Sequence, residues 1–211
     1  MPVETANASL IQLAFDPIIE PPDDALSQRV LDAALELATA FGLRNLTMDD
    51  VARKAKVGRM TVYRRFGAKE KLVEALTVRE SRRCLAELDA AAPPDAPLED
   101  QVAAGFATGL RIAREHPLLN RLARLEPETV VQAFATDGGR LFTVARGFVA
   151  ARLEAAQDSG VLGEVEVEEV AELLVRLCLS FVLIEESALP IEDDEAARAT
   201  ARRLLVPLLS G

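Results

Sequence analysis

Apolar residues recur at intervals of three and four along most of the chain, the spacing that puts side chains on one face of an α-helix. Val30, Ala34, Leu37, Ala38 and Phe41 form one such stripe. They predict a helix over about 28–41, with Ser27 as its cap and Gly42 as its stop. Thr47 opens a second helix with Asp50 in capping-box spacing, and Val51, Ala52 and Ala55 turn inward. Val57-Gly58 marks a turn, and Val62 and Phe66 then define the inner side of a short helix over about 59–65. Gly67 ends it, and a fourth helix runs from about Lys69 into the high eighties.

The Ala/Pro-rich stretch 90–97 reads as a linker. Beyond it the pattern predicts helices over about 98–115, 118–125, 128–136, 140–158, 167–187 and 192–209. No segment alternates with period two long enough for a strand, Val161–Val167 being a weak exception. The expected fold is all-α, nine or ten helices, with a three-helix head on a larger helical body. Residues 1–26, interrupted by Pro17, Pro21 and Pro22, read as an arm without regular structure. The expected divisions are therefore 1–26, 27–75 and 76–211.

Half of the 211 residues are hydrophobic and 27% are charged, a globular balance that excludes disorder as the main state. One His and two distant Cys, Cys84 and Cys178, cannot supply a four-ligand zinc site or a CxxC redox pair. Neither a Ser/His/Asp set nor a phosphate-cradling Gly loop is present, so no enzyme activity and no cofactor are expected. The acids at 164–169 and 193–195 suit helix N-termini. Val170–Ile184 is too short to span a bilayer and carries Arg176. With no secretion signal and two unpaired thiols, the expected compartment is the reducing cytoplasm, with no membrane partner.

The net charge of −10 hides an asymmetry. Residues 28–83 carry 13 Lys/Arg against 7 Asp/Glu, while residues 84–211 carry 11 against 22. Residues 51–69 hold seven bases and no acid: Arg53, Lys54, Lys56, Arg59, Arg64, Arg65 and Lys69. This block falls across two short helices joined by a tight turn, the arrangement of a helix-turn-helix. There the first helix braces the DNA backbone and the second enters the major groove. Thr47 and Lys69 sit at helix starts, where a phosphate can bind. Arg59 or Arg64 can make a bidentate contact to guanine, Met60 and Thr61 can touch thymine methyls, and the Tyr63 hydroxyl can meet a phosphate. A basic surface for an acidic protein partner is the alternative reading.

Ala-Phe-Gly at 40–42, Thr-Met-Asp-Asp-Val-Ala at 47–52, Val-Gly-x-x-Thr-Val-Tyr at 57–63, Phe-Gly at 66–67 and Lys-Glu-x-Leu at 69–72 together resemble the DNA-binding domain of the TetR family of bacterial regulators. The resemblance covers about a fifth of the chain, Ala33–Leu76. It implies a homodimer that binds a palindromic DNA operator, and a helical body that dimerises and holds a small effector altering DNA affinity. It maps phosphate and base contacts onto Thr47, Arg59, Met60, Thr61, Tyr63, Arg64 and Lys69. Two positions depart from the pattern. Gly58 stands where a capping side chain is common, and Ala68 replaces the usual Ser, Thr or Asn.

On this resemblance the effector pocket is expected among the middle helices, walled by Phe106, Leu110, Leu118, Leu122, Phe134 and Phe142, with Val131, Leu141 and Phe148 as further candidates. Each can equally be plain core. The abundance of aliphatic side chains implies a mainly apolar ligand. Arg111, Arg114, Arg121 and Arg124 read as surface residues or as carboxylate anchors, and His116 as a cap on helix carbonyls. The helix over 167–187 is apolar on most sides, so more than one face must be covered. A second subunit or the chain's own core can do this. The resemblance favours the subunit, with Leu174, Leu177, Phe181 and Ile184 at the interface. The expected role is a ligand-released repressor.

Overall fold

The computed structural model describes residues 24–93, 95–128, 130–131, 140–184 and 186–209. The arm expected over 1–26 lies outside this set up to residue 23, as do Phe134 and most of the helix expected over 128–136.

Among the described residues the helices are α1 (Ala25–Phe41), α2 (Met48–Lys54), α3 (Arg59–Phe66), α4 (Lys69–Ala91), α5 (Leu98–Glu115), α6 (Pro117–Leu125), α7 (Arg140–Asp158), α8 (Val167–Leu183) and α9 (Asp194–Leu204). A 3-10 turn, Val206–Leu209, follows. None of these residues forms a strand, and 161–166 are bends and irregular backbone. No helix among them is long and apolar enough to cross a membrane.

The chain forms two compact units, one ending at Arg83 and the next beginning at Cys84. The sequence pattern predicts a division at 75. The later boundary arises because Leu72, Ala75, Leu76 and Val78 of α4 are buried. The Arg79 guanidinium, 5% exposed, also donates to Asp32 Oδ1 and Glu80 Oε1, both at 2.7 Å, so α4 holds α1 beyond residue 75. Thus α4 begins in the first unit and ends in the second.

In the first unit α1 starts earlier than its apolar stripe suggests. Its cap is Asp24, whose Oδ1 accepts from the Leu26 and Ser27 amides at 3.2 Å. Ser27, expected as the cap, is buried inside the first turn and donates to Asp24 Oδ2 at 2.9 Å. The inner face is Val30, Leu31, Ala33, Ala34 and Ala38, while Phe41, expected in the core, is 60% exposed at the helix end. Thr47 caps α2 by accepting from the Asp50 amide at 3.1 Å.

The α2–α3 turn places its left-handed residue at Lys56, with φ 54°. Gly58 has φ −65° and ψ 139°, extended backbone that caps α3 without a side-chain bond. Val62 and Phe66 are buried beneath α3, and Gly67 ends it with φ 75°.

In the second unit α5 packs on α9. Ala103, Phe106, Ala107 and Leu110 meet Ala197, Ala201 and Leu205, and the small residues let the helices approach closely. A second cluster joins Ala150, Leu153 and Ala156 of α7 to Leu162, Ala171 and Leu209. Arg146 of α7 reaches Glu168 (3.3 Å) and Glu172 (3.6 Å) of α8.

Three helix ends differ from the sequence reading. α4 continues to Ala91 because alanines favour helix until Pro93. α8 stops at Leu183. The helix expected over 192–209 is capped at Asp193 and gives way after Leu204, since Pro207 cannot donate into an α-helical ladder. His116 caps amides rather than carbonyls, its Nδ1 accepting from the Leu119 amide at 3.3 Å at the start of α6.

Candidate functional site

α2 and α3 pack together through Val51, Ala52, Val62 and Phe66, all buried. Burying Val62 and Phe66 turns the rest of α3 outward. Arg59, Met60 and Arg64 are exposed, Met60 to 75%. Tyr63 is half-buried under the Arg59 guanidinium, which lies 5.3 Å from its ring centroid. Thr61 is half-buried in the first turn, with its amide bonded to the Gly58 carbonyl at 2.9 Å. The exposed face of α3 therefore carries two guanidiniums, a thioether and the edge of a phenol.

The neighbouring bases are partly paired. Arg59 Nε lies 2.8 Å from Asp49 Oδ1, both groups more than half exposed. Arg53 pairs with Asp50, and Lys54 with Glu36. Exposed pairs of this kind contribute only about 0–1 kcal/mol and are screened by salt, so a phosphate can replace the carboxylate at little cost. Lys69 Nζ donates to the Arg44 carbonyl at 2.7 Å, which orients the ammonium while leaving two of its three hydrogens for other acceptors. Arg65 turns back instead. It pairs with Asp24 and donates to Ser27 Oγ at 2.8 Å, so it braces α1 rather than joining the exposed face. Thr47 is exposed at the start of α2, and its hydroxyl also donates to Asp50 Oδ2 at 2.6 Å. Of the seven residues named from sequence, Thr47, Arg59, Met60, Thr61 and Lys69 lie at helix starts, and Tyr63 and Arg64 stand further along α3.

The second unit holds a half-open cavity of about 290 Å³, near the lower end of the roughly 300–1,000 Å³ usual for ligand pockets. Its wall on α5 is the stripe Leu98, Gln101, Val102, Gly105, Phe106, Gly109, Ile112 and Ala113. Of the expected walls Phe106 is present, and Phe148 joins it. Six others do not line it. Leu110 sits one residue past Gly109, about 100° around α5, and packs toward α9. Leu118 and Leu122 are buried, but Leu119 is the α6 residue that lines the cavity. Phe142 lies beside Arg176 of α8, 4.9 Å from guanidinium to ring centroid. Val130 rather than the exposed Val131 reaches the cavity, and Leu141 does not line it.

Sequence reasoning missed Arg152, because a lone arginine in an amphipathic helix looks like surface. Its side chain is 16% exposed, pairs with Asp89, donates to the Ala92 carbonyl, and lies 5.9 Å from the Phe148 ring centroid. Burial lowers its pKa from the usual arginine value, and Asp89 opposes that effect. The arginines of α5 and α6 lie elsewhere. Arg111 is held up from its usual value mainly by its bond to Glu87 at 2.7 Å, and Arg114 and Arg121 pair with Asp194 and Glu126. Cys178 lines the cavity, and burial pushes its thiol up to about 12.

Of the four residues expected at a subunit interface, three face the chain's own body. Leu174 lines the cavity. Leu177 and Phe181 pack on the α5–α9 cluster, with Phe181 edge-on to Phe106 at 5.9 Å. Ile184 is 61% exposed.

Residues 30–76 match the family described as bacterial regulatory proteins, tetR family. Residues 98–207, more than half of the chain, match the bacterial tetracyclin repressor C-terminal domain. The chain belongs to the TetR family and is a DNA-binding transcriptional regulator, a class without enzymatic activity. Among its relatives is the HTH-type transcriptional regulator AlkX of Mycobacterium tuberculosis, 26% identical over 209 residues, covering 97% of this chain and 95% of that one. The crystal structure of the TetR family repressor AlkX from Dietzia sp., implicated in biodegradation of n-alkanes, shares the fold with a TM-score of 0.61 at 22% identity, covering 86% of this chain and 96% of that one. GusR of Salmonella enterica superposes with a TM-score of 0.64 at 21% identity, covering 87% of this chain and 95% of that one.

Proposed function

We propose that this chain is a homodimeric repressor that binds a palindromic operator through α3 and leaves it when a small, mainly apolar effector fills the cavity of the second unit. The observation that carries the reading is the outward face of α3. Val62 and Phe66 fix the helix from below, while Arg59, Met60 and Arg64 point to solvent on the helix that also carries Thr61 and Tyr63; Thr47 and Lys69 stand at the starts of α2 and α4. In this reading Arg59 and Arg64 read bases, and Thr47, Tyr63 and Lys69 hold phosphates.

The aliphatic lining of the cavity supports an apolar effector, as does the likeness to an AlkX implicated in n-alkane biodegradation. Exposed Leu173 on α8 and Ile184 just past its end support a subunit contact, because large apolar side chains at such positions gain from being covered. A two-fold dimer matches a palindromic site. The reading puts the protein in the cytoplasm, with its operator.

A genome-wide binding footprint with purified protein tests this reading. The expected result is a small set of palindromic sites whose occupancy falls when an apolar effector is added. Arg59→Ala is expected to relax sequence preference, and Lys69→Ala to weaken all sites alike. Binding without any sequence preference would refute the operator assignment.

A further inference from the structure

Resting on the reading of the cavity as the effector site, we propose that its ligand is an aliphatic chain bearing a hydrogen-bond-accepting oxygen head, seated on Arg152. The lining is aliphatic or aromatic except for Gln101, Arg152 and Cys178, and it contains no carboxylate among the described residues. The Cys178 thiol keeps its proton and acts as a small apolar group with a weak donor. Gln101 spends its amide nitrogen on the Ala96 carbonyl at 2.8 Å and turns its oxygen toward Arg152 Nη2, 3.5 Å away. The polar chemistry of the cavity is thus concentrated at one guanidinium.

A guanidinium has five N–H donors and no acceptor. Here Asp89, the Ala92 carbonyl and the more distant Gln101 engage three of them. The Nε hydrogen and one Nη1 hydrogen of Arg152 meet no protein acceptor among the described residues, and burial draws its pKa down despite the pairing with Asp89. An acceptor oxygen entering beside Phe148 would supply what is missing. An ammonium head would meet a like charge and no lining acid, and a bare hydrocarbon would leave the donors unserved. A carboxylate and an ester carbonyl present the same acceptor chemistry.

The test is displacement of an apolar fluorescent dye from the full-length protein by decane, methyl decanoate, decanoate and decylammonium. The expected result is that the ester, the carboxylate or both compete at least about tenfold more strongly than decane, while decylammonium gains nothing over decane. A stronger carboxylate identifies an ionised head, and a stronger ester a neutral one. Arg152→Met is expected to abolish the margin while leaving decane within about twofold. The wild-type comparison decides even where that variant fails to fold. Equal competition by decane, or a margin that survives in folded Arg152→Met, overturns the headgroup inference and leaves the effector-cavity reading standing. Failure of every compound to displace the dye overturns both.

Discussion

Lys56 shows how a single residue records a compromise between backbone and charge. It occupies the left-handed region in the α2–α3 turn, where a residue with a Cβ is held at a cost of about 1–2 kcal/mol. Lys56→Gly is expected to raise the unfolding free energy by up to about 1 kcal/mol, read as a higher urea midpoint. A lower midpoint would show that the lysine side chain stabilises the turn more than its backbone strains it. Cys178 sets a pH dependence. The folded chain keeps this thiol protonated up to about pH 12, whereas an ordinary thiol ionises near 9.0. Between these values the unfolded chain binds fewer protons, so stability falls as pH rises through the window. Thermal melts at pH 8 and pH 10 are expected to differ less in Cys178→Ala than in the wild type, and equal differences would contradict the assignment. The sequence could not reveal either feature. Val57-Gly58 marks the turn without showing which of its residues is left-handed, and a cysteine's burial depends on which helices surround it.

At the scale of elements, the legible features were those written in local chemistry. Thr47, Gly42 and Gly67 mark helix ends that stand in the structure, because capping and positive φ act within a few residues. What failed was rotation about a helix axis. Leu110 and Leu118 are candidate cavity walls on the family resemblance, but one residue is about 100° of turn, and Gly109 and Leu119 line the cavity in their place. A stripe of apolar residues shows that a face is buried without showing which neighbour buries it. The packing of α5 on α9 depends on small residues, so Ala201→Leu is expected to cost about 1–3 kcal/mol through overpacking, measured by chemical denaturation. A methyl group added at Gly67 would meet nothing within 4 Å, so the expected loss of about 1 kcal/mol in Gly67→Ala comes from the residue's φ of 75° rather than from a clash.

At the scale of the whole molecule, charge divides the chain much as packing does. The segment 28–83 is rich in bases and the segment 84–211 rich in acids, which was readable from composition alone and agrees with two compact units meeting in sequence at Arg83 and Cys84. The family was legible because its motif specifies caps, turn and core together. Arg152 was not, since its burial follows from α4, α5 and α7 converging on it. The central claim is that the exposed guanidiniums of α3 meet a duplex. Fluorescence anisotropy with the footprinted operator, titrated with salt for the wild type and Arg64→Ala, tests it most directly. The expected wild-type binding constant falls steeply with salt, and the variant binds the operator more weakly by about 1–3 kcal/mol. Wild-type binding indifferent to salt, or an Arg64→Ala protein with unchanged affinity, would contradict it.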